Sequence, residues 1–180
     1  ESFRYFVGEG ARMLVERALP ADRRDPTTAE TALRLYREEY RAGWNIKTRI
    51  YDGIPELLDR LAARRLPLGI LSNKPHDMTQ QCVQGYLARW SFAVVFGQRD
   101  TVARKPDPAG ALEAARLMQV DPARVLYLGD TATDMQTARA AGMFAVGATW
   151  GFRPESELRE HGAHAIVHHP DEVLELIAKS

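Results

Sequence analysis

Hydrophobic positions in the first 47 residues recur every three to four residues, which is the spacing of one face of an amphipathic helix. The pattern predicts a helix over residues 10–19 and a second helix that begins with the capping box Thr27-x-x-Glu30. The second helix is expected to end at Gly43, because glycine commonly follows a helix C-terminus. We therefore expect residues 1–47 to form an all-helical unit without catalytic side chains in its interior.

From residue 51 onward, short apolar runs alternate with helical segments. The runs show little polar alternation, as expected of strands that are buried on both faces of a parallel sheet. They predict five strands, over residues 68–71, 92–96, 125–128, 144–146 and 165–167. Repeated alternation of strands and helices favours an α/β fold, so residues 48–180 are predicted to form a parallel sheet in three layers.

The composition is that of an ordinary globular chain, since 45% of its 180 residues are apolar and 27% are charged. Lys and Arg together number 24, as do Asp and Glu, so the charge gives no reason to expect a nucleic-acid or membrane partner. No apolar run reaches membrane-spanning length. The single cysteine, Cys82, excludes an internal disulfide and is typical of a reducing compartment, so we expect a cytoplasmic protein. No feature of the sequence indicates an oligomeric state.

Polar side chains follow three of the predicted strands. Ser72 ends the first strand, Lys105 follows the second, and Asp130 ends the third. Because the carboxyl ends of parallel strands meet at one edge of a sheet, we expect these side chains to lie close together. A hydroxyl and an ammonium can hold the oxygens of a phosphoryl group, and a carboxylate can hold Mg²⁺. The sequence therefore predicts a site for a phosphorylated ligand.

A purely structural interpretation of these residues stays open. Thr131 and Asp134 have the spacing of a capping box at the start of a helix, and Asp130 could be an ordinary turn residue. Ser72 alone would be a turn residue, and Lys105 alone would be a solvated surface lysine. The functional interpretation depends on their occurring together at strand ends.

Three segments resemble the motifs of one enzyme superfamily. Ser72–Pro75 (SNKP), Lys105-Pro106 and Gly129–Asp134 (GDTATD) are similar to the second, third and fourth motifs of the haloacid dehalogenase (HAD) superfamily of phosphohydrolases. Within that superfamily, Val7–Gly10 and Asp52–Pro55 resemble the corresponding segments of phosphoglycolate phosphatases. The resemblance covers nearly the whole chain and implies a Rossmann-like fold.

By the same resemblance, residues 48–180 form the HAD-like α/β core. Residues 1–47 form part of a helical cap, incomplete at its N-terminus, which closes over the site and selects the substrate. The family reaction is Mg²⁺-dependent hydrolysis of a phosphomonoester through an aspartyl-phosphate, which is nucleophilic catalysis by a carboxylate. The implied substrate is a small phosphorylated metabolite such as 2-phosphoglycolate, with sugar phosphates, nucleotides and pyrophosphate as alternatives.

The resemblance also implies a role for each matching residue. Ser72 would donate a hydrogen bond to a phosphoryl oxygen, with the backbone of Asn73 nearby. Lys105 would hold the nucleophile and the phosphoryl group together by its charge. Asp130 would be a Mg²⁺ ligand, and Asp134 a supporting acid that acts through water or through Lys105.

The first HAD motif, an Asp-x-Asp after an apolar strand, is absent from this sequence. In the superfamily that motif supplies the nucleophile and the general acid/base, and its strand lies at the centre of the sheet, beside the strand that ends in Asp130. We therefore expect the nucleophile to lie outside this sequence, in roughly 30 to 40 further N-terminal residues of the native protein. This length corresponds to a strand and a first cap helix.

Two other functions remain open. A relative that has lost the first motif would bind a phosphorylated ligand or a protein partner without catalysis. A 2-haloacid dehalogenase is a further alternative within the superfamily. Asp130 and Asp134 argue against it, because their arrangement suits Mg²⁺, which that reaction does not use.

Overall fold

The computed structural model describes residues 5, 6, 8 and 10–178 of the chain. The chain divides into two compact units, Glu1–Arg49 and Ile50–Ser180. Two residues of the predicted Val7–Gly10 segment, Val7 and Glu9, lie outside the described residues. Among the described residues, no helix combines the length and the apolar character needed to cross a membrane.

In its described residues, the first unit contains two α-helices, as the hydrophobic spacing predicts. They are α1 (Ala11–Ala18) and α2 (Pro26–Gly43), and a short 3-10 helix, Ala21–Arg23, lies between them. Their packed faces bury Val15, Ala29 and Leu33, while Arg12 and Glu30 form an exposed ion pair between the two helices, with 2.5 Å separating Nη2 from Oε2.

The predicted capping box of the second helix is wrong. The N-cap of α2 is Asp25, whose side chain accepts a hydrogen bond of 3.0 Å from the backbone N–H of Thr28. Pro26 occupies the first helical position, where a missing N–H carries no penalty. The helix therefore begins before Thr27, and Glu30 is left to pair with the other helix.

The second unit alternates helices and strands, so the predicted α/β fold is confirmed. Its helices are α3 (Ile54–Ala63), α4 (His76–Tyr86), α5 (Ala109–Met118), α6 (Ala132–Ala140), α7 (Glu155–Glu160) and α8 (Glu172–Ala178). Its strands are β1 (Gly69–Pro75), β2 (Val94–Gln98), β3 (Leu126–Gly129), β4 (Phe144–Ala148) and β5 (Ala165–Val167). A 3-10 helix, Pro122–Arg124, precedes β3.

The strands form two parallel sheets, β1–β2 and β3–β4–β5. In the part of the chain that the structure describes, β1 and β3 each have a partner strand on one side only. Leu71 in β1 and Leu128 in β3 are apolar and half-buried. Parallel strands with these features normally lie inside a sheet rather than at its edge.

The predicted end of the first strand is also wrong. The sequence predicts that the strand ends at Ser72, whereas β1 continues through Ser72 to Pro75. Its pairing with β2 resumes at Pro75 after an irregularity in the register that begins beyond Leu71. An irregularity of this kind changes the direction of the side chains that follow it. Ser72 and Asn73 therefore lie within an extended, irregular end of the strand.

The core of the second unit lies on both faces of β4. Ala145 belongs to one apolar cluster, which it shares with α5, α6 and α7. The next residue, Val146, belongs to a second cluster, formed with α3, β5 and α8. Successive strand residues point to opposite faces, so this alternation places helices on both sides of the three-stranded sheet and produces three layers.

The contribution of this core to stability can be tested at Leu158 of α7, which is fully buried. Leu158→Ala is expected to lower the free energy of unfolding by about 2 to 4 kcal/mol, because it removes buried methyl groups and leaves a cavity. Leu112→Ala is the matched control, since Leu112 is 40% exposed, and it should cost less than about 1 kcal/mol. Urea denaturation of the two variants provides the measurement, and equal losses would contradict this description of the core.

Candidate functional site

An ion pair between Lys105 and Asp134 lies at the carboxyl ends of β1 and β3. Lys105 Nζ is 2.6 Å from Asp134 Oδ1, and the two side chains are only 12% and 9% exposed. Lys105 Nζ also donates a hydrogen bond of 3.3 Å to the backbone oxygen of Leu71 in β1. Lys105 is therefore buried and is not a solvated surface lysine. It connects β1, in one sheet, with α6, the helix that follows β3 of the other sheet.

The other carboxylate oxygen of Asp134 caps α6. Oδ2 accepts hydrogen bonds from the Thr131 hydroxyl at 2.6 Å and from the Thr131 backbone N–H at 3.1 Å. Thr131 Oγ1 in turn accepts from the backbone N–H of Asp134. The capping box that the sequence analysis gave as an alternative is present. Asp134 therefore has two roles at once, since Oδ1 pairs with Lys105 and Oδ2 caps α6.

Tyr127 is part of this cluster, although the sequence analysis did not single it out. Its hydroxyl interacts with both Lys105 and Asp134. Burial raises the pKa of Tyr127 to about 12, so the hydroxyl stays neutral near pH 7. The signal in the sequence was a residue with a polar hydroxyl inside an otherwise apolar strand, since a buried tyrosine usually finds a hydrogen-bond partner.

The charge of Lys105 is stabilised by its surroundings. Burial lowers the pKa of its ammonium, but the Asp134 carboxylate and the Tyr127 hydroxyl more than offset that effect, and the pKa is raised above its usual value. Lys105 therefore remains an ammonium over the whole range in which most enzymes work.

The side chain of Asn73 holds the backbone of Lys105. Asn73 Nδ2 donates to the Lys105 backbone oxygen at 3.1 Å, and the Lys105 backbone N–H donates to Asn73 Oδ1 at 3.0 Å. Asn73 is 8% exposed, so its amide is committed to this role. Ser72 Oγ accepts a hydrogen bond of 3.1 Å from the backbone N–H of Lys74, which leaves its hydroxyl proton available to a ligand.

Asp130 follows β3 and points to a different partner. Its Oδ2 accepts a hydrogen bond of 2.9 Å from the backbone N–H of Phe152, in the segment after β4. Burial raises the pKa of the Asp130 carboxyl above its usual value, and the Phe152 N–H acts in the opposite direction.

The site residues fit a cation that takes few protein ligands. Within the described ranges, no group of three or more His, Cys, Asp or Glu residues could by itself hold a metal ion. Mg²⁺ is commonly bound through one or two carboxylates together with phosphate oxygens and water. The Asp130 carboxylate suits such an ion, while Asp134 is occupied by Lys105 and Thr131.

The structure brings the predicted site residues to the carboxyl ends of β1 and β3, which belong to separate sheets. Lys105 contacts Asp134 and Asn73 directly, and it reaches Leu71, the neighbour of Ser72 in β1. Asp130 directly precedes the cap residue of α6. The arrangement can bind an anionic group through one ammonium and one hydroxyl, beside a carboxylate that can bind a cation.

Comparison with known proteins relates this chain to one enzyme family. Residues 1–148 match the family described as haloacid dehalogenase-like hydrolase. A phosphoglycolate phosphatase of Mesorhizobium japonicum is 34% identical over 171 residues, which are 94% of this chain and 75% of that protein. An N-acetylmuramic acid 6-phosphate phosphatase of Pseudomonas aeruginosa is 33% identical over 178 residues, covering 97% of this chain and 77% of that protein.

A solved structure shows the same fold. The crystal structure of a candidate phosphoglycolate phosphatase from Lactobacillus delbrueckii subsp. bulgaricus superimposes with a TM-score of 0.90 at 27% identity. The match covers 98% of this chain and 82% of that chain. The similarity therefore includes the arrangement of elements that positions the site.

The Lys105–Asp134 pair can be tested with a double-mutant cycle. Lys105→Met and Asp134→Asn should each lower the free energy of unfolding by about 3 to 5 kcal/mol, because each leaves the other charge buried and unpaired. The double variant should lose at least about 1 kcal/mol less than the sum of the single losses. Urea denaturation of all four proteins gives the coupling energy.

The exposed pair Arg159–Glu155, with 2.7 Å separating Nε from Oε1, serves as the control cycle. Its side chains are 59% and 39% exposed, so its coupling energy should stay below about 1 kcal/mol. Additive losses at Lys105 and Asp134 would contradict their description as a coupled buried pair.

Proposed function

The chain belongs to the haloacid dehalogenase-like hydrolase family, and on this basis we propose that the protein is a Mg²⁺-dependent phosphatase of a small phosphorylated metabolite. The observation that carries the proposal is the buried Lys105–Asp134 pair, which lies with Ser72 and Asp130 at the carboxyl ends of β1 and β3. We name 2-phosphoglycolate, or a close analogue, as the substrate, because phosphoglycolate phosphatases recur among the relatives.

In this proposal the residues of β1 and the ion pair bind the phosphoryl group. Lys105 offsets the negative charge of the phosphoryl oxygens, and Asp134 keeps the ammonium in place. Ser72 donates its hydroxyl proton to one phosphoryl oxygen, while the Lys74 N–H fixes the orientation of the hydroxyl. Asn73 aligns the backbone that carries Lys105. Positioning and charge stabilisation of this kind form most of a protein's contribution to phosphoryl transfer.

Asp130 is the proposed Mg²⁺ ligand of this chain. When bound, Mg²⁺ would stabilise the negative charge that develops on the phosphoryl oxygens. Asp130 offers one oxygen for this purpose, since Phe152 N–H holds the other. The remaining ligands would come from the substrate, from water and from the nucleophile motif.

The nucleophile of the proposed reaction is an aspartate outside this sequence. Its carboxylate would attack phosphorus and displace the substrate's alcohol to form an aspartyl-phosphate, which water would then hydrolyse to inorganic phosphate and the free carboxylate. Within the described residues, β1 and β3 each lack a partner strand on one side, which supports this assignment. A further strand that pairs with them and ends in Asp-x-Asp would satisfy their backbone groups and would place a carboxylate beside Ser72 and Asp130.

We also propose that residues 1–47 belong to a cap that selects the substrate. The support is the compact helical unit formed by α1 and α2, together with the family membership. A cytoplasmic location stays a prediction that depends on the single cysteine, Cys82.

Phosphate release from 2-phosphoglycolate tests the proposal. The full-length protein should release inorganic phosphate in the presence of Mg²⁺. The release should stop when EDTA removes the Mg²⁺. Asp130→Asn should lower kcat/KM by about a hundredfold or more, because it removes the charge that binds the cation. Asp171→Asn, a change at an exposed carboxylate, is the matched control and should leave the rate unchanged.

The outcomes separate the alternatives. Release that survives Asp130→Asn without loss would show that the metal assignment is wrong. Binding of the phosphorylated compound without release would favour a relative that binds its ligand and does not catalyse.

The position of the nucleophile can be tested by intact-mass measurement of the protein made from its native reading frame. We expect a mass above the 20.2 kDa of this chain, with the additional residues including a strand that ends in Asp-x-Asp. Replacing the first of those aspartates by Asn should abolish phosphate release, because no nucleophile would remain. A mass of 20.2 kDa would contradict the proposed mechanism.

A further inference from the structure

The turn after β4 is fixed at both ends. At its start, the backbone N–H of Thr149 donates to the Val167 oxygen at 3.1 Å and so continues the pairing of β4 with β5. At its end, the nearly buried Arg153 has its Nε 3.1 Å from Oε1 of Glu157 in α7. The residues between these anchors therefore have a defined position relative to the strand ends.

Gly151 in this turn packs directly against Asp130. A Cβ at position 151 would lie 2.2 Å from both Cβ and Oδ2 of Asp130 and 2.6 Å from its Cγ, closer than real Cβ contacts. The φ angle of Gly151 lies outside the positive range that favours glycine. Glycine is therefore required here for space rather than for backbone conformation.

The same turn supplies the hydrogen bond that holds Asp130. The residue after Gly151 is Phe152, whose backbone N–H donates to Asp130 Oδ2 at 2.9 Å. This hydrogen bond depends on the close approach of Gly151, because any side chain at position 151 would push the turn away from Asp130 and lengthen the bond.

We propose that the Gly151–Phe152 turn is a positioning element that fixes the Asp130 carboxylate for the cation. It holds Oδ2 through the Phe152 N–H and keeps the carboxylate from rotating, so that the other oxygen faces the ligand. The inference rests on the proposed function, in which Asp130 binds Mg²⁺. Groups that orient a metal ligand in this way commonly change metal affinity by about 10- to 100-fold when they are altered.

The test compares Mg²⁺ affinities of the full-length protein by isothermal titration calorimetry, with Mg²⁺ alone and no substrate. Gly151→Ala should raise the Kd for Mg²⁺ about tenfold or more. The Mg²⁺ concentration that gives half-maximal phosphate release should rise by a similar factor, while saturating Mg²⁺ should restore most of kcat. A role limited to overall stability would not produce this separation of affinity and rate.

Gly142→Ala is the matched control. Gly142 has a φ of +69°, and a Cβ at this position would meet nothing within 4 Å. The substitution strains the backbone and lowers stability without touching Asp130. Its Kd for Mg²⁺ should therefore stay within about twofold of the wild-type value, and an equal loss of affinity in both variants would overturn the positioning role.

Asp130→Asn separates a failure of this inference from a failure of the proposed function. If the wild-type protein and Asp130→Asn bind Mg²⁺ equally, the metal assignment is wrong and the inference fails with it. If Asp130→Asn loses binding but Gly151→Ala keeps the wild-type Kd, only the positioning role is wrong.

A second variant covers the case in which Gly151→Ala fails to fold. In an Asp130→Gly background, the three atoms nearest to the new Cβ, all in the Asp130 side chain, are absent, so Gly151→Ala should fold with nearly the thermal stability of Asp130→Gly alone. If the double variant also fails to fold, the contact with Asp130 is not what requires glycine at position 151, and the inference is overturned.

Discussion

The arrangement of the site depends on the buried ion pair of Lys105 and Asp134. Both side chains have lost most of their hydration, and a buried pair is stable only when further hydrogen bonds satisfy the remaining polar atoms. Here the Leu71 oxygen accepts from the lysine, and Thr131 donates to the second oxygen of the carboxylate. The pair therefore fixes the end of β1 relative to the start of α6, although β1 and β3 belong to separate sheets.

Close packing against glycine restricts both carboxylates of the site. A Cβ at Gly129 would lie 2.2 Å from the Asp134 Cβ, just as a Cβ at Gly151 would collide with Asp130. Neither glycine has a positive φ, so both are required for space. Carboxylates held this closely reorganise little when a charged ligand binds, which is the condition under which fixed charges stabilise a transition state most effectively.

Local patterns predicted most of the fold. All five strands occur, and those predicted over 92–96 and 125–128 differ from the observed strands by no more than two residues at either end. The predicted start of α2 was wrong, although the sequence contains the signal for the observed start. Asp is a favourable N-cap residue, and Pro is favourable at the first helical position that follows it. The predicted end of β1 was wrong for a different reason. The extension of the strand to Pro75 depends on its pairing with Gln98, and a local sequence pattern does not show such a pairing.

The sequence by itself determined the order of helices and strands and the polar residues at the strand ends, because periodicity and turn chemistry are local properties of the chain. Only the tertiary structure decided that Lys105 is buried, that Tyr127 joins its ion pair, and that Phe152 holds Asp130. The contacts of Lys105 with Asp134 and of Phe152 with Asp130 join residues more than 20 positions apart. Desolvation and hydrogen bonding across such separations depend on how the elements pack, and packing is not visible in any single segment.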